Sequence, residues 1–160
     1  MLRRVLLALS LCALLPVTAF AQLRTGYGPR VGFSIDPDQL LLGGQAIIGE
    51  IAPNLTFDPS IELGFGDEVT TVAVNFDLHY HFDLENVTWR PYAGVGADVV
   101  FVDHDDDFPG DDDSDTGVGG GLIIGAGAPT SSGNRFFGEL KFGLGDVPDL
   151  KIVVGWNFKM

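Results

Sequence analysis

The chain is poor in cysteine, in basic residues and in long apolar runs, and each shortage removes a class of protein. Its single cysteine, Cys12, lies near the start, so the body of the chain can carry neither a disulfide framework nor thiol chemistry. Nine lysines and arginines stand against 22 aspartates and glutamates, a formal charge of −13. Nucleic acid is therefore not an expected partner, because binding it requires cations that neutralise phosphates. Beyond Ala21 no uninterrupted apolar run approaches the roughly 20 residues that a membrane-crossing helix needs.

The first residues read as an address. Arg3 and Arg4 supply a positive start, Val5 to Leu15 an apolar run too short to cross a bilayer, and Ala19-Phe20-Ala21 a small-x-small cleavage site before Gln22. The pattern predicts a Sec-type signal peptide over 1–21 and one exported domain over 22–160. Lipid attachment at Cys12 is not expected, since Leu11 precedes it where a small residue belongs. What remains is a periplasmic, secreted or outer-membrane β protein.

Alternation is the dominant pattern. Leu55, Phe57, Pro59, Ile61, Leu63 and Phe65 share one parity, while Thr56, Asp58, Ser60, Glu62 and Gly64 fill the other. Val72 to Phe82 repeats it against Ala73, Asn75, Asp77, His79 and His81, and Leu150 to Met160 against Lys151, Val153, Gly155, Asn157 and Lys159. Such bulky apolar faces overfill the inside of a small barrel, which has room only for modest side chains. The pattern therefore reads as inverted, with apolar residues toward lipid and small or polar ones toward the lumen, as in a transmembrane β-barrel. Eight strands are predicted at 30–35, 40–51, 55–65, 69–82, 89–102, 116–128, 135–145 and 150–158. Glycine, at 22 residues, weakens an ordinary sheet but relieves crowding inside a narrow barrel. Pro59 and Pro91 each remove a ladder donor and are expected near strand starts.

An even strand count returns both termini to one side, the periplasm in bacterial barrels. The longest linker, Asp103 to Asp115, then falls outside the cell. Tyr80, Phe82, Trp89, Phe136, Trp156 and Phe158 cluster toward the periplasmic end of their strands, with Phe65 and Phe101 toward the other, as rings do at membrane interfaces.

Two further stretches carry a resemblance. Arg90-Pro91-Tyr92-Ala93-Gly94-Val95-Gly96 is similar to a strand opening of the small eight-stranded outer-membrane barrels, the class of OmpX and the OmpA transmembrane domain. Val154-Gly155-Trp156-Asn157-Phe158 resembles the final strand that the barrel assembly machinery reads, although Lys159 and Met160 follow the phenylalanine. The resemblance covers 22–160. It implies an all-β, eight-stranded antiparallel up-and-down barrel in the outer membrane of a diderm bacterium, a monomer with both termini in the periplasm, whose main partner is lipid.

Candidate chemistry is sparse. Asp105, Asp107, Asp111, Asp113 and Asp115 belong to the acidic loop, and carboxylate oxygens suit Ca²⁺ or Mg²⁺. The alternating start of a calcium loop at Asp111, Asp113 and Asp115 breaks down, because Thr116 stands where glycine is needed and Leu122 where a bidentate glutamate belongs. Weak cation association without a cage, or a self-repelling solvated spacer, is the expectation. Asp77, His79 and His81 share a lumenal face and are expected to join a hydrogen-bonded interior rather than a metal site; Glu139 and Lys141 are expected to pair with Lys151 and Asn157 on the neighbouring strand. Ser34 and Ser60, the serines in predicted strands, lie in no recognisable catalytic arrangement. No cofactor and no catalysis are expected, and the role reads as structural or adhesive. A soluble lipocalin-like barrel, with its rings turned inward around an apolar cavity, is the alternative.

Overall fold

The computed structural model describes residues 25–67, 69–104 and 114–160. The predicted leader over 1–21 lies outside them. The strands are β1 (Gly26–Ile35), β2 (Gln39–Ile47), β3 (Gly49–Ala52), β4 (Leu55–Gly66), β5 (Val69–His81), β6 (Arg90–His104), β7 (Ser114–Pro129), β8 (Arg135–Gly145) and β9 (Leu150–Lys159). All pairings are antiparallel, and β9 returns to β1 from Ile35↔Leu150 to Gly26↔Lys159. Because β2 and β3 both lie against β4, they form one stave, and the sheet closes as an eight-stave up-and-down barrel. Closure pairs every stave on both sides except at the short β3, which has β4 as its only partner among the described residues.

The alternation fixes which way each stave faces. Leu122 is 55 % exposed and the adjacent Ile123 1 %; the same contrast separates Ile61 from Glu62 and Ile152 from Lys151. The outer surface is a belt of exposed isoleucine, leucine, valine and phenylalanine, and the lumen holds most of the buried polar side chains. The lipocalin-like alternative is thereby corrected. Rings turned inward would have to displace Glu62, Asp77, Asp98, Glu139, Lys141 and Lys151, all of them buried in the lumen.

The first strand begins at Gly26 rather than at residue 30, and Phe82 and Trp89 lie just outside β5 and β6. The ladder between β6 and β7 extends past the expected ends, through Val102↔Asp115 to Asp103↔Ser114. The expected second strand, 40–51, is broken at Ile48: the register against β4 shifts by one residue between Gln45↔Ser60 and Gly49↔Phe57. Gly49 takes a positive φ of 126° there, a conformation that glycine adopts without a steric penalty. Pro59 is not near a strand start but inside β4, facing this break. Its missing N–H therefore falls where the ladder is already interrupted. Pro91, second in β6, accepts a hydrogen bond at its carbonyl from Phe82 N–H at 2.9 Å.

The lumen is not wholly small and polar. Phe137, Val153, Ile123 and Leu41 are also buried. Consecutive Phe136 and Phe137 must face opposite ways on a strand, so one ring enters the barrel whichever register is chosen.

Candidate functional site

Three cations organise the middle of the lumen. Arg30 on β1 contacts Glu62 Oε1 through Nε at 2.9 Å and Glu139 Oε1 through Nη2 at 2.6 Å. Its Nη1 donates to Gln45 Oε1 at 3.0 Å and Ser60 Oγ at 3.2 Å. Lys151 donates to Glu62 Oε2 and to Asn75 Oδ1, both at 2.9 Å. Lys141 lies between Asp77 at 2.6 Å and Asp98 at 2.5 Å. Space for that last group comes from Gly96, where an added Cβ would fall 2.0 Å from Asp77 Oδ1 and 2.7 Å from Lys141 Nζ.

These partners correct the sequence expectation for Glu139 and Lys141. Lys141 stands directly opposite Lys151 across the β8–β9 pair, and Glu139 opposite Val153. Like charges facing each other on adjacent strands repel, so each lysine extends across the lumen to carboxylates on β4, β5 or β6 instead. Asn157 accepts from Gln45 Nε2 at 3.0 Å. In an enclosed space such charges must be paired and hydrogen-bonded, and the cations bind staves that are distant in the chain into one network.

Toward the end where the termini lie, His79 and His81 take separate partners. His79 Nδ1 is 2.6 Å from Asp58 Oδ2, and His81 Nε2 is 3.1 Å from Thr56 Oγ1. The Tyr92 ring packs against both imidazoles, with centroids at 4.7 and 5.4 Å, and its hydroxyl donates to Glu139 Oε2 at 2.9 Å. Among the described residues no three His, Cys, Asp or Glu side chains are grouped to hold a metal ion. Ser34 Oγ donates to the Pro37 carbonyl at 2.7 Å, and Ser60 Oγ accepts from Arg30 and from Asn75. Neither serine is joined to a histidine.

Of the acidic-loop candidates, Asp105, Asp107, Asp111 and Asp113 lie outside the described residues. Asp115 is exposed near the start of β7, paired in the ladder with Val102. The rings gather at the end where the termini lie, and Tyr27 joins them: Tyr27 against Phe158 at 5.9 Å, Tyr80 against Phe82 at 5.3 Å, and Phe136 against both Trp89 and Trp156 at 6.3 Å. Sequence reasoning missed a feature at this same end, a cavity of about 310 Å³ in the barrel mouth lined in part by His81, Arg90, Arg135 and Lys159. Its signal was legible: these residues share the lumenal parity of their strands and the same end of the barrel.

No family model and no characterised protein sequence matches the chain. Solved structures do. The crystal structure of Neisserial surface protein A (NspA) superposes with a TM-score of 0.63 at 13% identity, covering 85% of this chain and 94% of that one. The N-terminal β-barrel domain of Pseudomonas aeruginosa OprF gives a TM-score of 0.52 at 19% identity, over 84% of this chain and 96% of the other. At such identities the likeness is one of fold. It is the fold of the small eight-stranded outer-membrane β-barrels.

Proposed function

We propose that this barrel spans the outer membrane, with both termini in the periplasm, and serves a structural or adhesive role at the cell surface. One observation carries the reading: the belt of exposed Leu, Ile, Val and Phe surrounds a lumen whose charged side chains are buried. In water that arrangement leaves a very large apolar surface unburied; in lipid it is the low-energy one. The predicted signal peptide over 1–21 supports export, and the final strand supports handling by the barrel assembly machinery. The chain acts as a monomer, since apart from the four-residue β3 the closed sheet offers no edge to a second copy.

Catalysis is not part of the proposal. The buried side chains of His79, His81, Glu139, Ser34 and Ser60 are held by Asp58, Thr56, Tyr92, the Pro37 carbonyl and Arg30 respectively, with no serine–histidine pair among them, and the lumen is crossed by side chains rather than left open. The surface role falls to the loop between β6 and β7, whose run of aspartates, Asp103 to Asp115, would associate weakly with Ca²⁺ or Mg²⁺ and through them with anionic headgroups or a basic partner.

The test is biochemical. Full-length protein expressed in a diderm host should sediment with outer membranes, require detergent for extraction and migrate differently on a gel before and after heating. Recovery as a detergent-free soluble monomer would overturn the membrane assignment. For the surface role, deletion of 105–113 should leave heat-modifiability intact while lowering adhesion of expressing cells to a protein-coated surface; unchanged adhesion would remove the loop from that role.

A further inference from the structure

The described residues include six lysines and arginines, and they divide evenly. Arg30, Lys141 and Lys151 are held by carboxylates in the lumen. The other three, Arg90, Arg135 and Lys159, all line the cavity at the terminus end of the barrel. On a chain of formal charge −13, every described cation outside the central network thus surrounds one opening. Glu50 is the one carboxylate in its lining.

The alternation shows which way these cations belong. Arg90 shares its parity with Tyr92 and Asp98, Arg135 with Phe137 and Glu139, and Lys159 with Lys151 and Asn157, all of which are buried in the lumen. The residues beside them in the chain, Trp89, Phe136 and Phe158, belong to the outward ring of aromatics. Cations that anchored the barrel to lipid headgroups would stand on the outward parity.

A buried group points to a ligand as well. His81 is 6 % exposed and lines the same cavity, and while its Nε2 meets Thr56, its Nδ1 has no hydrogen-bond partner within the protein. Arg90 donates through Nη2 to Asp83 Oδ1 at 2.6 Å and Asn54 Oδ1 at 3.0 Å, and its Nε is likewise buried with no hydrogen-bond partner. A buried polar atom left without a partner is costly.

We propose that this mouth binds a compact phosphate-bearing solute from the compartment that the termini face. Guanidinium groups match the geometry of phosphate oxygens, and a cleft whose lining sets Arg90, Arg135 and Lys159 against the single carboxylate of Glu50 draws anions into the opening. A volume of about 310 Å³ is at the lower end of ligand sites, roughly 300 to 1,000 Å³, which suits a small solute. Naming the compartment as periplasm rests on the orientation proposed above. Binding in micelles does not depend on it, so the two readings fail separately.

The test uses the protein refolded in nonionic maltoside micelles at about 50 mM salt, where surface charge is only partly screened. Inorganic phosphate is titrated while the His81 imidazole and Arg90 Nε–H nuclear magnetic resonance signals are followed. Saturable shifts of both signals with a dissociation constant of about 1 mM or tighter are expected. Chloride at matched ionic strength should not reproduce them, and the double variant Arg90→Gln/Arg135→Gln should weaken binding about tenfold or more. If that variant fails to show the folded gel mobility, Lys159→Gln at the exposed end of β9 should still weaken binding about threefold. Linear, unsaturated shifts, equal shifts with chloride, or variants that bind as the parent does would overturn the site. A second arm identifies the source of the phosphate group. In nanodiscs of phosphatidylcholine, with or without phosphatidylglycerol, added phosphate should move the same signals in both; movement caused by phosphatidylglycerol alone would assign the mouth to a lipid headgroup and overturn the solute proposal.

Discussion

Tyr92 and Gly125 stand directly opposite each other on β6 and β7, and the ring lies so close over the glycine that an added Cβ would come within 2.4 Å of Tyr92 Cζ. Phe137 and Gly155 repeat the arrangement on β8 and β9, with Phe137 Cε1 and Cζ also at 2.4 Å. An aromatic ring folded over a cross-strand glycine covers backbone that would otherwise lie bare, and allows the sheet to curve tightly. Tyr92 cannot swing aside, because Glu139 holds its hydroxyl and both histidine rings flank it.

Gly125→Val and Gly155→Val should therefore each destabilise the folded barrel by about 1–3 kcal/mol through overpacking. Gly133→Ala meets open space and is disfavoured only by a φ of +81°, a cost of about 1 kcal/mol. Urea midpoints for refolding in detergent, read from the heat-modifiable band, would rank the three. Equal midpoints for all three variants would show that the ring-over-glycine contacts do not govern stability.

Removal of one lumenal cation should cost far more than its replacement together with its partners. Lys141→Met leaves Asp77 and Asp98 buried without their ammonium group and is expected to destabilise by about 3–5 kcal/mol. Adding Asp77→Asn and Asp98→Asn to that variant should recover most of the loss. A triple variant no more stable than the single one would mean that packing of the lysine stem, rather than charge, sets the cost.

Depth in the wall should decide the effect of an outward arginine. Ile152, paired with both Phe33 and Leu140, lies four residues from Trp156 of the aromatic ring, toward the middle of the apolar belt, where arginine costs about 2–4 kcal/mol in lipid. Leu144, near the end of β8, lies where the cost falls to about 0–1 kcal/mol. Refolding equilibria of Ile152→Arg and Leu144→Arg into vesicles test this, and equal costs would contradict a lipid belt centred on Ile152.

For the acidic loop, calorimetric titration with Ca²⁺ should give weak, low-specificity heats. These should fall when Asp105, Asp107, Asp111 and Asp113 are all changed to Asn. Identical heats for the two proteins would leave the loop as a solvated spacer.

Planar bilayers offer a check on the lumen. Arg30, Lys141 and Lys151 cross it to reach their carboxylates, so steady conductance should be negligible, and large reproducible unit currents would show that this network opens.

The barrel was legible because its two controlling patterns are local. A period of two over 55–65 or 150–158 places each residue inside or outside without knowledge of any other strand, and an even count brings the termini together. Partner choice was not legible. Which carboxylate Lys141 reaches depends on the stagger between strands far apart in the chain, and no single strand encodes that offset. The break at Ile48 was hidden because 40–51 is apolar or small at most positions, although Gly49 marks it in retrospect. The cationic mouth is hidden for a different reason: Arg90, Arg135 and Lys159 lie on three separate strands, and their common end and parity become informative only together.

Arg30 and Glu139 are separated by 109 residues in the chain and by 2.6 Å in the barrel. That contact forms only after β1 has met β9, so the Arg30 ion pairs contribute nothing to a half-built sheet, in which Arg30 remains in water. Contacts of such long sequence separation fold slowly, since loop closure must precede them. The converse holds for opening. A barrel closed by this network should not lose one stave at a time, and amide hydrogens along the centres of β1 and β9 should exchange with solvent only when the whole molecule unfolds.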